Sequence, residues 1–192
     1  MTAAARRAGT RGAAAVGMPK VLLVDDRKDN LVALTAIMQG LAVEPVAVNS
    51  GTAALKALLM DDFAVILMDA QMPHMDGFET ATRIKERERT RNVPIIFLTA
   101  VDRDQQLALR GYTAGAVDYL TKPLDPWVLR AKVSVFAELW TKSRQVEAQA
   151  QSTHQASELA AAVLQALEAL AGPDGPDVTS ATRILRRAAD LT

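Results

Sequence analysis

The chain has 192 residues, 22 basic and 22 acidic side chains, and a formal net charge of zero. That length can bury one good core with residues left over, and the balanced charge excludes a whole-chain polyanion binder. With no cysteine there is no disulfide framework, thiolate zinc site or thiol catalysis, and no apolar run of roughly 18 residues spans a membrane, so a cytoplasmic protein is expected.

Residues 1–17 carry Arg6, Arg7 and Arg11, no acid, and none of the apolar core of a secretory signal. A disordered tail is expected there, with Met18 as an alternative start. Val21 to Val24 reads as a first buried strand ending at Asp25-Asp26, and Asp29-Asn30 as the N-cap of a helix whose inner face is Leu31, Leu34, Ile37, Met38 and Leu41. Val43 to Val48 is a second strand, and Ser50-Gly51 opens a helix with Ala54, Leu55, Leu58 and Leu59. Ala64 to Met68 is a third strand, followed by Asp69 and the turn through Pro73 and Asp76-Gly77. A charged helix over Phe78 to Arg87 turns Ala81 and Ile84 inward. Ile95 to Leu98 forms the fourth strand and ends at Thr99; Asp102 to Tyr112 forms the fourth helix. Val117 to Leu120 is the fifth strand, followed by Thr121-Lys122-Pro123, and Asp125-Pro126 caps what comes next.

Alternation of short buried strands with helices predicts an α/β fold: a flavodoxin-like, doubly wound, five-stranded parallel sheet of order 2-1-3-4-5. The helix after the fifth strand meets no Gly or Pro between Pro126 and Ala171, longer than a globular helix needs. Its seam passes through Leu129, Val133, Phe136 and Trp140, which face either the sheet or a partner helix. It weakens at Ser143, Glu147, Ala150 and His154, then recovers at Leu159, Val163, Ala166 and Leu170. The expected organisation is a core domain over 18–140, a helical arm and candidate coiled coil over 141–171, and a turn with a short helix over 172–192. A homodimer is expected, because the apolar stretch Leu159 to Leu170 needs a partner surface, with Leu129, Val133, Phe136, Trp140, Leu159, Val163 and Leu170 as candidate arm contacts.

The chemistry gathers at strand ends. Asp25, Asp26, Asp69, Thr99 and Lys122 would converge on one rim if their strands are neighbours. Carboxylates so crowded repel each other unless a cation sits among them, and Mg²⁺ suits oxygen ligands of this kind. A carboxylate can also attack phosphorus to give an aspartyl phosphate. Asp69, mid-sheet, is the expected nucleophile; Asp26 would ligate Mg²⁺ directly, with Asp25 beside it or acting through water. Lys122 would neutralise the phosphoryl group and Thr99 would donate to it. Read singly, each is an ordinary turn or capping residue; their joint placement points to phosphoryl transfer.

Residues from about Pro19 to Phe136 resemble the receiver domain of two-component response regulators. The matching pieces are Val24-Asp25-Asp26, Met68-Asp69 with Met72-Pro73 and Asp76-Gly77, Leu98-Thr99-Ala100, and Asp118-Tyr119-Leu120-Thr121-Lys122-Pro123. The resemblance implies that Asp69 accepts phosphate from a phosphohistidine on a sensor histidine kinase or phosphotransfer protein. It implies Mg²⁺ held by Asp26, Asp69 and the Gln71 carbonyl, a cis Lys122-Pro123 peptide, and a switch through Thr99 and Tyr119. It also implies a stoichiometric phosphoacceptor with slow self-dephosphorylation, tuned at Gln71 and Val101. The segment Val128 to Phe136 is similar to a subgroup with an extended last helix.

No winged-helix reader is expected after Trp140, so direct DNA binding is not expected. Arg183, Arg186 and Arg187 read as a solvated face, His74 and His154 lack metal-ligand partners, and Trp127 and Trp140 cover the last helix of the core domain. Output is expected through the arm, by dimerisation or a downstream regulator protein. The alternatives are a phosphorylation-independent scaffold and, lower, a phosphohydrolase, which wants an acid where Gln71 stands.

Overall fold

Strands with apolar side chains on both faces have to lie inside a layered fold, and these do. In a computed structural model, which describes residues 17–100, 116–171 and 177–189, five strands form one parallel sheet of order β2-β1-β3-β4-β5. They are β1 (Lys20–Val24), β2 (Glu44–Val48), β3 (Val65–Asp69), β4 (Ile95–Thr99) and β5 (Asp118–Thr121). β3 and β4 are buried at every residue, as expected of a parallel sheet covered on both sides.

Helices α1 (Lys28–Met38), α2 (Gly51–Met60) and α3 (Gly77–Glu86) alternate with the strands, and α4 (Pro126–Leu170) follows β5. Leu22, Val24, Ile66, Met68 and Phe97 pack under α2 and α3 on one face, with Phe78 and Phe97 tilted at 44° and 4.7 Å between ring centroids. The opposite residues, Val21, Leu23, Val65, Leu67, Ile96 and Leu98, pack under α1 and the start of α4. Period-2 alternation along each strand therefore serves two cores.

The described residues form two compact units, Gly17–Lys142 and residues 143–189. In the second, Asp177 caps α5 (Val178–Ala189) by accepting from the Ser180 N–H at 2.9 Å. The Asp177 N–H donates to the Ala169 carbonyl at 3.1 Å, so α5 turns back along the end of α4.

The Ser50 cap holds, its hydroxyl accepting from the Ala53 N–H. The α1 cap differs from expectation: the helix begins at Lys28, so Arg27 occupies the cap position without a side-chain bond, and Asn30, inside the first turn, gives its amide to Asp25. Leu129 and Val133 are fully buried against the sheet, which corrects their assignment to a dimer seam. Phe136 packs on the same core. Trp127 is 82% exposed and covers little. The tail over 1–16, the helix expected at Asp102 to Tyr112, Val101 and the turn over 172–176 lie outside the described residues.

Candidate phosphoacceptor and metal site

Parallel strands present all their C-terminal ends at one edge, and this edge collects the polar residues of the sequence pattern. Asp69 ends β3 in register with Leu98 of β4, while Asp25 and Asp26 follow β1, whose Val24 lies beside Met68. Lys122 follows β5, its N–H donating to the Thr99 carbonyl at 2.7 Å.

The Lys122 ammonium lies 3.0 Å from Asp25 Oδ2 and 3.1 Å from Asp69 Oδ2. Carboxylate oxygens of Asp25, Asp26 and Asp69 lie within 4.8 Å of one another, with Asp25 and Asp69 buried and Asp26 exposed. A single ammonium thus faces two buried carboxylates. Burial raises the Asp69 pKa above the ordinary carboxylate value; Lys122 opposes the shift, and the neighbouring charge of Asp25 adds to it. Burial alone would lower the Lys122 pKa, but the hydrogen bond to Asp25 and the charge of Asp69 outweigh it, and the pKa is raised.

Asp25 is the most completely held of the three. Its Oδ1 accepts from the Arg27 N–H and the Asn30 amide, each at 2.9 Å, and its Oδ2 accepts from Asn30 at 2.9 Å and from Lys122. Asn30 was missed as a site residue. Its spacing, four after Asp26 on a helix start, suits a cap equally well, and only the tertiary position shows it bracing Asp25.

The loop after Asp69 is shaped by close backbone packing. The Gln71 N–H donates to Asp69 Oδ1 at 3.4 Å, and the Gly77 N–H donates to the Ala70 carbonyl at 3.1 Å. A Cβ at Gly77 would lie 2.2 Å from the Asp69 carbonyl oxygen, so only glycine lets α3 start this near Asp69. Asp76 caps α3 by accepting from the Glu79 N–H at 2.7 Å. His74 adopts a left-handed φ of 68° in this loop and is exposed. The Lys122–Pro123 peptide is cis.

Thr99 is buried at the end of β4, whereas Tyr119 on β5 is 45% exposed. Asp118 next to it is ion-paired to Lys132 of α4. Among the described residues, the Asp25, Asp26 and Asp69 group is the metal-capable cluster. Three carboxylates and no nitrogen or sulfur donor make a set that fits a hard divalent cation such as Mg²⁺.

The model of the response regulator receiver domain matches residues 21–134. The chain belongs to the receiver-domain family of response regulators. Within this family, phosphorylation and Mg²⁺ binding are typical, and sensor histidine kinases supply the phosphoryl group. The DNA-binding dual master transcriptional regulator RpaA of Synechocystis is 35% identical over 118 residues, covering 60% of this chain and 48% of RpaA. The sensor protein GacS of Pseudomonas syringae is 39% identical over 111 residues, covering 55% of this chain and 12% of GacS. The response regulator PleD of Caulobacter vibrioides is 35% identical over 114 residues, covering 59% and 25%. The chain therefore spans less than half the length of these curated relatives.

Among solved structures, the receiver domain of the sensor histidine kinase PA1611 from Pseudomonas aeruginosa carries a magnesium ion in its active-site cleft. It is 30% identical, with a TM-score of 0.58, over 64% of this receiver chain and 99% of its own. The chemotaxis response regulator CheY4 of Vibrio cholerae, 28% identical, has a TM-score of 0.58 over 62% and 99%. No helix among the described residues is long and apolar enough to cross a membrane.

Proposed function

We propose that this chain is a response regulator that accepts a phosphoryl group on Asp69 from the phosphohistidine of a sensor kinase or phosphotransfer protein. The observation that carries the reading is one ammonium, Lys122, lying 3.1 Å from Asp69 and 3.0 Å from Asp25 at the C-terminal edge of the sheet. In the transfer, an Asp69 carboxylate oxygen bonds to phosphorus as the imidazole nitrogen–phosphorus bond breaks, and the departing imidazole takes up a proton. Such transfers need in-line placement and neutralisation of the phosphoryl oxygens. Lys122 supplies one positive charge and the Thr99 hydroxyl a hydrogen bond.

Mg²⁺ would be held by Asp26, Asp69 and the Gln71 carbonyl, with Asp25 beside it. When bound, it offsets the negative charge of the carboxylates and the phosphoryl oxygens. Asp25, fixed by Asn30 and Arg27, keeps Lys122 in place. The protein is a stoichiometric acceptor that loses its phosphate slowly to water, not a turnover enzyme. Thr99 and Tyr119 carry the change outward, and output runs through protein contacts of the C-terminal helices, by dimerisation or a downstream regulator, rather than by reading DNA.

Incubation with acetyl phosphate and Mg²⁺, followed by intact-mass measurement, tests the reading. The wild-type chain gains one phosphoryl group, and Asp69→Asn gains none. Uptake retained in Asp69→Asn, or none in the wild type, overturns it.

A further inference from the structure

The unit formed by residues 143–189 buries very little of its own apolar surface. Among its described residues, the buried apolar side chains are Ala166, Ala181 and Ala188, the small residues along the line where α5 lies against α4. Two helices packed through alanines make a layer rather than a core, and a layer needs a second one.

Most of the exposed large apolar side chains are gathered on one side, with Leu164 off that strip. Leu159, Val163, Leu167 and Leu170 recur at intervals of four, four and three, giving one strip along α4. On α5, Val178 and Leu185 lie two turns apart, beside the Ala181–Ala188 line. All six are between 40% and 61% exposed. The other side of the same helix pair holds a groove of mixed character, where Gln155, Glu158 and Gln165 of α4 and Arg187 of α5 stand beside Ile184, with Leu159 at the boundary between the two sides. Because α5 runs antiparallel to the end of α4, the Leu185 flank of α5 falls on the same side as the leucine strip.

We infer that this six-residue aliphatic face closes on the same face of a second copy, making a four-helix bundle. The inference names the surface of the dimeric output proposed above and rests on that reading. An uncharged aliphatic face offers a foreign partner no charge pattern to read, while a two-fold pairing of one such face with itself is self-complementary. The area suffices: the face leaves on the order of 500 Å² of apolar surface per copy, so closure buries about 1,000 Å² in total, the lower bound of a specific interface. An open patch of that size is at the upper end of what monomers expose.

The chain has no cysteine, so single cysteines report the interface cleanly in the full chain. Leu167→Cys is expected to give a covalent dimer under mild oxidation, and Arg183→Cys, on the exposed charged side of α5, at least fivefold less. Light scattering is expected to give twice the chain mass for wild type and once the chain mass for Val163→Glu with Leu167→Glu. A circular dichroism spectrum that keeps its helix content excludes unfolding of the double variant as the cause. Equal cross-linking at both cysteines, a monomeric wild type, or an undiminished dimer in the double variant overturns the inference. Phosphoryl uptake on Asp69, read separately by mass, is unaffected by the double variant, so loss of the bundle and loss of the phosphoacceptor reading are told apart.

Discussion

Helix α4 contributes to both units of the chain, and its apolar side chains meet different fates in them. In the receiver, Leu129, Val133 and Ala137 are sealed against the sheet. In the C-terminal unit, Leu159, Val163, Leu167 and Leu170, at similar helical spacing, stay open. Periodicity says that a face will be covered; it does not say by what. Where a sheet from the same chain is present the face is core, and where only an alanine-lined helix lies beside it the face is left for another molecule.

The largest expected effect comes from truncating the two kinds of leucine. Leu129→Ala removes a fully buried side chain and is expected to lower receiver stability by about 3 kcal/mol, read by urea unfolding. The same truncation at Leu170 is expected to change receiver stability by less than about 0.5 kcal/mol and to weaken the dimer instead. Equal costs at the two positions would break the comparison.

A second, smaller effect sharpens the receiver side. Gly77→Ala forces a Cβ towards the Asp69 carbonyl oxygen, 2.2 Å away, and is expected to cost about 1–3 kcal/mol of stability. Phosphoryl uptake at the proposed acceptor should slow as well, because the strain falls on the Asp69 end of β3. Leu129→Ala, measured below its unfolding temperature, should leave that rate nearly unchanged.

The smallest effect belongs to the C-terminal unit. The Asp177 pKa is lowered by its hydrogen bonds to Ser180 at the start of α5. A depressed folded-state pKa contributes stability above the unfolded value, and that contribution is lost as pH falls through the folded value. Amide exchange at the first turn of α5 should therefore rise in acid, below the ordinary carboxylate range, with no matching change in α2, whose cap is Ser50. Asp177→Asn, which keeps an acceptor without the charge, should abolish the pH dependence.

Much of the site was legible because each polar residue stands at a strand end, and strand ends can be found from apolar runs closed by a turn. Asp25, Asp26, Asp69, Thr99 and Lys122 were all marked in this way, and the rim of the sheet brings Asp25, Asp26, Asp69 and Lys122 within reach of one another. Asn30 was illegible, since an amide near a helix start has two equally good local uses. The close approach of Gly77 was equally hidden, because a glycine after Asp76 already explains itself as a turn.

The amino-acid order by itself determined the sheet, its strand order and the long uninterrupted helix, since these follow from apolar periodicity, crossover handedness and the absence of helix breakers. Only the tertiary structure decided that Asp25 is buried and held by Arg27, Asn30 and Lys122, that Lys122 bridges two carboxylates, and that one half of a helical seam is core while the other is open. Those outcomes depend on contacts such as Lys122 to Asp25, 97 residues apart in the chain. A local pattern can place a side chain on a face, but only the packing of the whole chain sets what that face meets.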